Sequence, residues 1–176
     1  PLISSYAQAV KDQIESGFIG PGAKTKEFAK LLGEYIGCEY VLLTTSGTTA
    51  LQVVAVSVGL KPGDGIVVPA YGVVATANAF ASMGLELKFV DVDNSGCMAP
   101  DALEAAVGMF PSINAVCFVD FSGGVPYTIK RIQDICRKHD LILIEDAACA
   151  LGHRYKGQHA GTFGRVGTFS FSVPKL

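Results

Sequence analysis

Three short segments carry residue types that do chemistry once a fold brings them together. The first is Thr44-Thr45-Ser46-Gly47-Thr48-Thr49, where an apolar stretch runs into a helix-forming one through Ser-Gly-Thr. A strand entering a helix this way presents backbone N–H groups without intrahelical partners, flanked by hydroxyls, which suits a phosphate. The same residues also read as an ordinary helix cap, and they match neither the Walker P-loop nor the dinucleotide fingerprint. The second is Ile144-Glu145-Asp146-Ala147-Ala148-Cys149. An acid closing a wholly apolar strand stands in a poorly solvated cleft and needs a cation, a metal or a protonated nitrogen beside it. No second set of metal ligands accompanies it, and Asp146 capping a following helix is the plain structural alternative. The third is Phe169-Ser170-Phe171-Ser172-Val173-Pro174-Lys175. A lysine in such an apolar, hydroxyl-bearing segment can act as an amine nucleophile, although a solvated side chain is the ordinary reading of a lysine near a chain end. A phosphate cradle, a buried acid and a lysine amine, in that order, are what pyridoxal 5'-phosphate (PLP) requires. The acid keeps the pyridine nitrogen protonated and the amine forms the Schiff base.

Such segments work together only if the fold collects them at one place. A parallel sheet does so, because ligands bind beyond the carboxyl ends of its strands. The spacing predicts one. Ile3, Tyr6, Val10 and Ile14 line one face of a helix that ends near Gly17. Thr25 has an N-cap side chain ahead of a helix bearing Phe28, Leu31, Leu32 and Tyr35 and stopping at Gly37. Short apolar runs at 40–44, 66–68, 87–90, 115–119, 141–144 and 168–171 read as strands. Helices are predicted between them, from Ser46 to about Val58 and over 73–83, 100–107 and 129–138. Apolar strands without polar alternation, separated by helices, predict an α/β fold: a three-layer αβα arrangement around a mostly parallel central sheet. No repeat or linker interrupts 1–176, which reads as one α/β layer domain.

Composition narrows the function classes. The 176 residues carry 14 Lys+Arg against 16 Asp+Glu, a formal net charge of −2, so no basic excess exists to meet a nucleic acid or an anionic membrane. Charged residues make up 17% and hydrophobic ones 49%. That excludes disorder and is unusually apolar for a self-contained domain. Two stretches, 40–60 and 65–85, hold no charge, but polar residues, Gly and Pro interrupt both, so neither is predicted to span a bilayer. Cys38, Cys97, Cys117, Cys136 and Cys149 are widely spaced with no C-x-x-C pair. Buried free thiols in a reducing, cytoplasmic setting are expected, and no zinc site. Pro1 opens the chain without Met or a signal-like segment, which suggests processing or truncation.

At this point the sequence resembles the DegT/DnrJ/StrS family, the sugar aminotransferases among the fold type I PLP enzymes. The resemblance runs through the segments 16–22, 46–51, 62–64, 68–70, 75–79 and 89–93, then 145–148, 160–164 and 169–171 ahead of Lys175. It implies an aspartate aminotransferase-like large domain, of which 1–176 would be the N-terminal part. Lys175 would then be the Schiff-base lysine and proton carrier, and Asp146 the partner of the pyridinium nitrogen. Ser170, Gly47 and Thr48 would hold the cofactor phosphate. The implied reaction takes an amino group from glutamate or glutamine to a keto group of a nucleotide-linked sugar. Relatives that dehydrate carry histidine in place of the lysine.

Three positions depart from the family pattern. Val73 occupies the ring-stacking position that is usually aromatic, with Tyr71 two residues earlier. Cys149 stands where a Gln usually bonds the cofactor 3-hydroxyl. Asp120-Phe121-Ser122-Gly123 replaces a His-Leu-(Phe/Tyr)-Gly segment. Members of the family are about twice as long and act as homodimers, so this chain alone is expected to bind PLP poorly and not to turn over. Two other readings stay open: a catalytically inactive homologue serving as a regulatory or binding module, and an unrelated nucleotide-binding domain built on Ser46-Gly47-Thr48. The latter leaves Asp146 and Lys175 without a role.

Overall fold

The computed structural model describes residues 2–172 and Lys175. Val173 and Pro174 of the lysine-bearing segment, and the side chain of Ile3, lie outside the described residues. The chain divides into two compact units, 1–43 and 44–176.

The first unit holds two helices, α1 (Leu2–Glu15) and α2 (Ala23–Ile36). Tyr6, Val10 and Ile14 share one face of α1, as their spacing predicts, and that face is exposed. Helix α2 buries Leu32, Gly33 and Ile36. Its N-cap is Gly22 rather than the expected Thr25. Thr25 lies inside the first turn and its Oγ1 accepts the Gly22 N–H at 3.3 Å, so the hydroxyl caps from within. Gly37 ends the helix as predicted, at φ 83°, with its N–H bonded to the Gly33 carbonyl. The strand expected over 40–44 does not form. The segment joins no ladder among the described residues, and Tyr40 and Leu42 are exposed. An extended apolar run becomes a strand only when a neighbour takes its backbone hydrogen bonds.

The second unit alternates as predicted: α3 (Gly47–Ser57), β1 (Gly65–Pro69), α4 (Val74–Ala81), β2 (Glu86–Val90), α5 (Pro100–Met109), β3 (Ile113–Val119), α6 (Ile129–Lys138) and β4 (Ile142–Asp146). A small hairpin follows, β5 (Arg154–Tyr155) with β6 (Gln158–His159), then β7 (Val166–Thr168). The last strand therefore ends at Thr168 and leaves 169–171, expected as strand, on the way out of the sheet. Strands β2-β1-β3-β4-β7 form one sheet in that order, and every pairing in it is parallel.

The pleat sends alternate side chains to opposite layers. Ile66, Val68, Cys117 and Ile144 pack with Leu51, Val54 and Phe80 under α3 and α4. Val67, Val116, Phe118 and Leu143 pack with Leu103, Ile129, Ile132 and Ile135 under α5 and α6. This is the expected three-layer αβα architecture. The uncharged stretch 65–85 becomes β1 and α4, and α3 lies within 40–60. No helix among the described residues is long and apolar enough to cross a membrane.

The topology also fixes where a ligand can enter. From β1 the chain moves outward to β2 through α4, then returns across to β3 and proceeds the other way through α6. The connections after β1 and β3 thus leave for opposite faces, and a parallel sheet opens a crevice at such a switch point. Tyr71, just after β1, and Phe121, just after β3, meet there with ring centroids 4.6 Å apart at 55°.

Candidate active site

Asp146 is the last residue of β4, and the pleat turns its side chain towards α4. Only 5% of it is exposed. Thr76, in the first turn of α4, donates its hydroxyl to Asp146 Oδ2 at 2.7 Å, and the Ala148 N–H donates to Oδ1 at 3.1 Å. Burial raises the Asp146 carboxyl above the ordinary carboxylate range; the Thr76 hydroxyl, the Ala148 N–H and the Lys175 cation oppose that rise. The helix that Asp146 would have capped is absent, since a turn follows it and its Oδ1 serves that turn.

Lys175 reaches the same corner. Its Nζ donates to Cys149 Sγ at 2.9 Å, and its backbone N–H bonds the Ser172 carbonyl at 2.8 Å. Lys175 is half-buried, while Cys149 is exposed, as is Cys38. Of the five thiols expected to be buried, only Cys97, Cys117 and Cys136 are, because 38 and 149 lie in loops outside the two packed layers. An acid, an amine and a thiol therefore lie near one another beyond the carboxyl end of β4.

The anion-binding end is built on α3. Ser46 caps it, accepting the Thr49 N–H at 3.1 Å. Gly47 and Thr48 occupy the first two helical positions, whose N–H groups have no intrahelical partner. Ser170, two residues past β7, lies against this turn: a side chain at position 47 would touch Ser170 Cβ at 3.5 Å and Oγ at 3.7 Å. Gly47, Thr48 and Ser170 are thus together. Val73 caps α4, 52% exposed, and its carbonyl accepts the Thr76 N–H at 3.1 Å, so it adjoins the residue that holds Asp146. Tyr71, the other candidate for ring stacking, turns to Phe121 instead.

Three further residues stand at this corner without a distinguishing signal in the sequence. Thr76 is one; its partner stands 70 residues away. Glu145 is another. The pleat sends it to the face opposite Asp146, where its carboxylate accepts N–H groups from Gly161 (2.6 Å), Phe163 (2.7 Å) and Gly164 (3.1 Å). Adjacent acids thus do different work, one facing the crevice and one pinning a glycine-rich loop. Asp120, the residue after β3, is buried beside the Glu145 carboxyl, and neither of its carboxyl oxygens has a partner at ordinary hydrogen-bond geometry among the described residues. Burial, reinforced by the negative charge of Glu145, holds its carboxyl far above the ordinary range. Gly123 closes the turn after Asp120 at φ 82°, where a side chain would meet the Cys149 carbonyl at 2.7 Å, so only glycine lets the two loops approach. Alternation along β3 and β4 is the signal that separates these acids, once the covered faces are known.

A helix N-terminus with Ser170 against it, a buried carboxyl and a nearby amine fit the phosphate, ring nitrogen and aldehyde of PLP. Together with the sheet order, they define the large-domain scaffold of the PLP-dependent aminotransferases. The chain belongs to the DegT/DnrJ/EryC1/StrS aminotransferase family, which matches residues 2–176. It is 36% identical over 170 residues to a dTDP-4-dehydro-2,3,6-trideoxy-D-glucose 4-aminotransferase of Saccharopolyspora spinosa, covering 96% of this chain and 44% of that protein. The structure of a DegT DnrJ EryC1 StrS aminotransferase from Brucella abortus superposes with a TM-score of 0.92 at 35% identity, over 96% of this chain and 47% of that one. A GDP-4-keto-6-deoxy-D-mannose-3-dehydratase of E. coli, solved with hydrated PLP bound, superposes with a TM-score of 0.85 at 30% identity, over 93% and 43%. The chain spans somewhat under half the length of these relatives.

Proposed function

We propose that the whole protein is a PLP-dependent aminotransferase that moves an amino group from glutamate or glutamine to a keto group of a nucleotide-linked sugar, as a homodimer in the cytoplasm. The observation that carries this reading is the buried Asp146, held by Thr76, with the Lys175 cation near enough to oppose the rise of its carboxyl.

Each residue has a task in that account. The N–H groups of Gly47 and Thr48 and the hydroxyl of Ser170 hold the cofactor phosphate. Asp146 pairs with the pyridine nitrogen and keeps a proton there; its low exposure favours that shared proton. Thr76 fixes the carboxyl, and Val73 and Cys149 would stand at the positions where the family resemblance puts a ring-stacking residue and the partner of the 3-hydroxyl. Lys175 Nζ would hold the cofactor aldehyde and, when free, would carry a proton between the substrate carbon and the cofactor C4′. When bound, PLP supplies the electron sink that lets an amino group leave one substrate and join the next. A lysine rather than a histidine at 175 favours transamination over dehydration. The named activity of the Saccharopolyspora relative supports a sugar acceptor.

The test is covalent. Borohydride reduction of the whole protein with PLP should fix one cofactor on Lys175, and an amino donor should then be turned over. An adduct without turnover would instead support a binding module.

A further inference from the structure

Among the five cysteines, Cys97, Cys117 and Cys136 are buried, and burial pushes all three thiols up, that of Cys136 to about 12. A thiol held protonated in the core reacts slowly with oxidants, because the thiolate is the nucleophile. Cys149 differs from them in both respects that matter. It is exposed, and its sulfur lies 2.9 Å from a second nucleophile, Lys175 Nζ. Cys38, the other exposed cysteine, has its Sγ bonded to the Tyr40 carbonyl at 3.2 Å, with no amine beside it in that contact.

We propose that Cys149 and Lys175 form a peroxide-responsive pair, in which oxidation of the thiol captures the lysine amine in a reversible sulfur–nitrogen bond and withholds it from carbonyl chemistry. The bond itself rests on the contact between the two side chains. Its consequence for the cofactor rests on the function proposed above.

The steps balance without any further reagent. Cys149 as thiolate attacks one oxygen of hydrogen peroxide and the O–O bond breaks. The departing hydroxide takes a proton from the Lys175 ammonium, giving sulfenic acid, water and a neutral amine. That amine then attacks the sulfur it already touches, forming Sγ–Nζ while the S–OH bond breaks. The hydroxyl leaves with one amine proton as a second water. The sulfur loses two electrons and the peroxide gains them. Two equivalents of an added thiol reverse the change, releasing Cys149 and Lys175 and forming the thiol's own disulfide. The flexible lysine stem allows the closer approach that the bond requires.

The geometry gives the pair a clear readout. Tryptic cleavage places Cys149 in peptide 139–154, as its single cysteine, and Lys175 in the peptide that begins at Val166. The whole protein, reduced and freed of cofactor, is treated with a small excess of hydrogen peroxide and digested without reductant. The expected product is these two peptides joined, about 2 Da lighter than their sum. It should disappear on treatment with dithiothreitol and be absent from Cys149→Ser. In Lys175→Ala, Cys149 should stop at sulfenic acid, trapped by dimedone. Borohydride capture of PLP on Lys175 should fall several-fold in the oxidised protein and return on reduction. Dimedone-labelled Cys149 in the unsubstituted protein, with Lys175 cleaved normally by trypsin, would overturn the proposal. If the reduced protein captures no PLP, the cofactor reading fails, while the joined peptide still decides the pair.

Discussion

The Thr76 hydroxyl donates to Asp146 Oδ2 at 2.7 Å, tying the first turn of α4 to the end of β4 across 70 residues of sequence. Asp146 is therefore held before any ligand arrives. Thr76→Val removes the donor and leaves a buried acceptor short of one bond, at a cost of about 1–2 kcal/mol. It also removes an interaction that lowers the Asp146 carboxyl. Carbon-detected NMR titration should show that carboxyl moving further up; an unmoved titration would mean that Thr76 does not hold it.

Glu145 anchors the loop behind the site. Glu145→Ala orphans the buried N–H groups of Gly161 and Phe163 and the part-buried one of Gly164, and should cost about 3 kcal/mol, with the folded baseline otherwise kept. Hydrogen exchange at Gly161, Phe163 and Gly164 should accelerate ahead of β3 and β4. Uniform exchange across the sheet would contradict a local anchoring role.

Asp120 makes stability depend on pH. Its carboxyl is raised in the folded chain and ordinary in the unfolded one, so the folded state binds the extra proton. Stability from this group is fully present below about pH 4 and declines as pH rises through the neutral range towards the folded value. Asp120→Asn, a neutral stand-in for the protonated acid, should remove that decline. Melting temperatures of the two proteins should agree at acid pH and separate above it, the variant gaining a few degrees at pH 8. Parallel curves would contradict the assignment.

Helix α1 leaves Tyr6, Val10 and Ile14 exposed along one face. The chain should bind a hydrophobic dye there or self-associate, and Val10→Glu with Ile14→Lys should remove the effect. A dye-silent, monomeric chain would show that this face needs no cover.

One corner of the candidate site was legible because it follows from a strand end. Asp146 closes β4, and a parallel sheet gathers such strand ends at one edge, whereas Gly47 and Lys175 follow the apolar runs 40–44 and 169–171, which lie outside the sheet. The fold was legible for a related reason: the helices and strands of 47–146 have strong apolar patterns and local punctuation. What the sequence withheld depends on neighbours. The run at 40–44 looks like a strand but has no partner, and periodicity carries no information about pairing. Thr76 looks like any helix residue until α4 lies over β4. Glu145 and Asp146 are indistinguishable in sequence and are separated only by the pleat, while the isolation of Asp120 becomes visible once the loops after β3 and β4 are closed.

The central claim is that Lys175 is the amine that holds PLP, opposite Asp146. Its most direct test is borohydride reduction of the whole protein with PLP, followed by peptide mass spectrometry. The expected result is one pyridoxyl group on Lys175, none in Lys175→Ala, and a retained adduct with at least ~100-fold slower transamination in Asp146→Asn. Label spread over surface lysines, with Lys175 unmodified, would contradict the account.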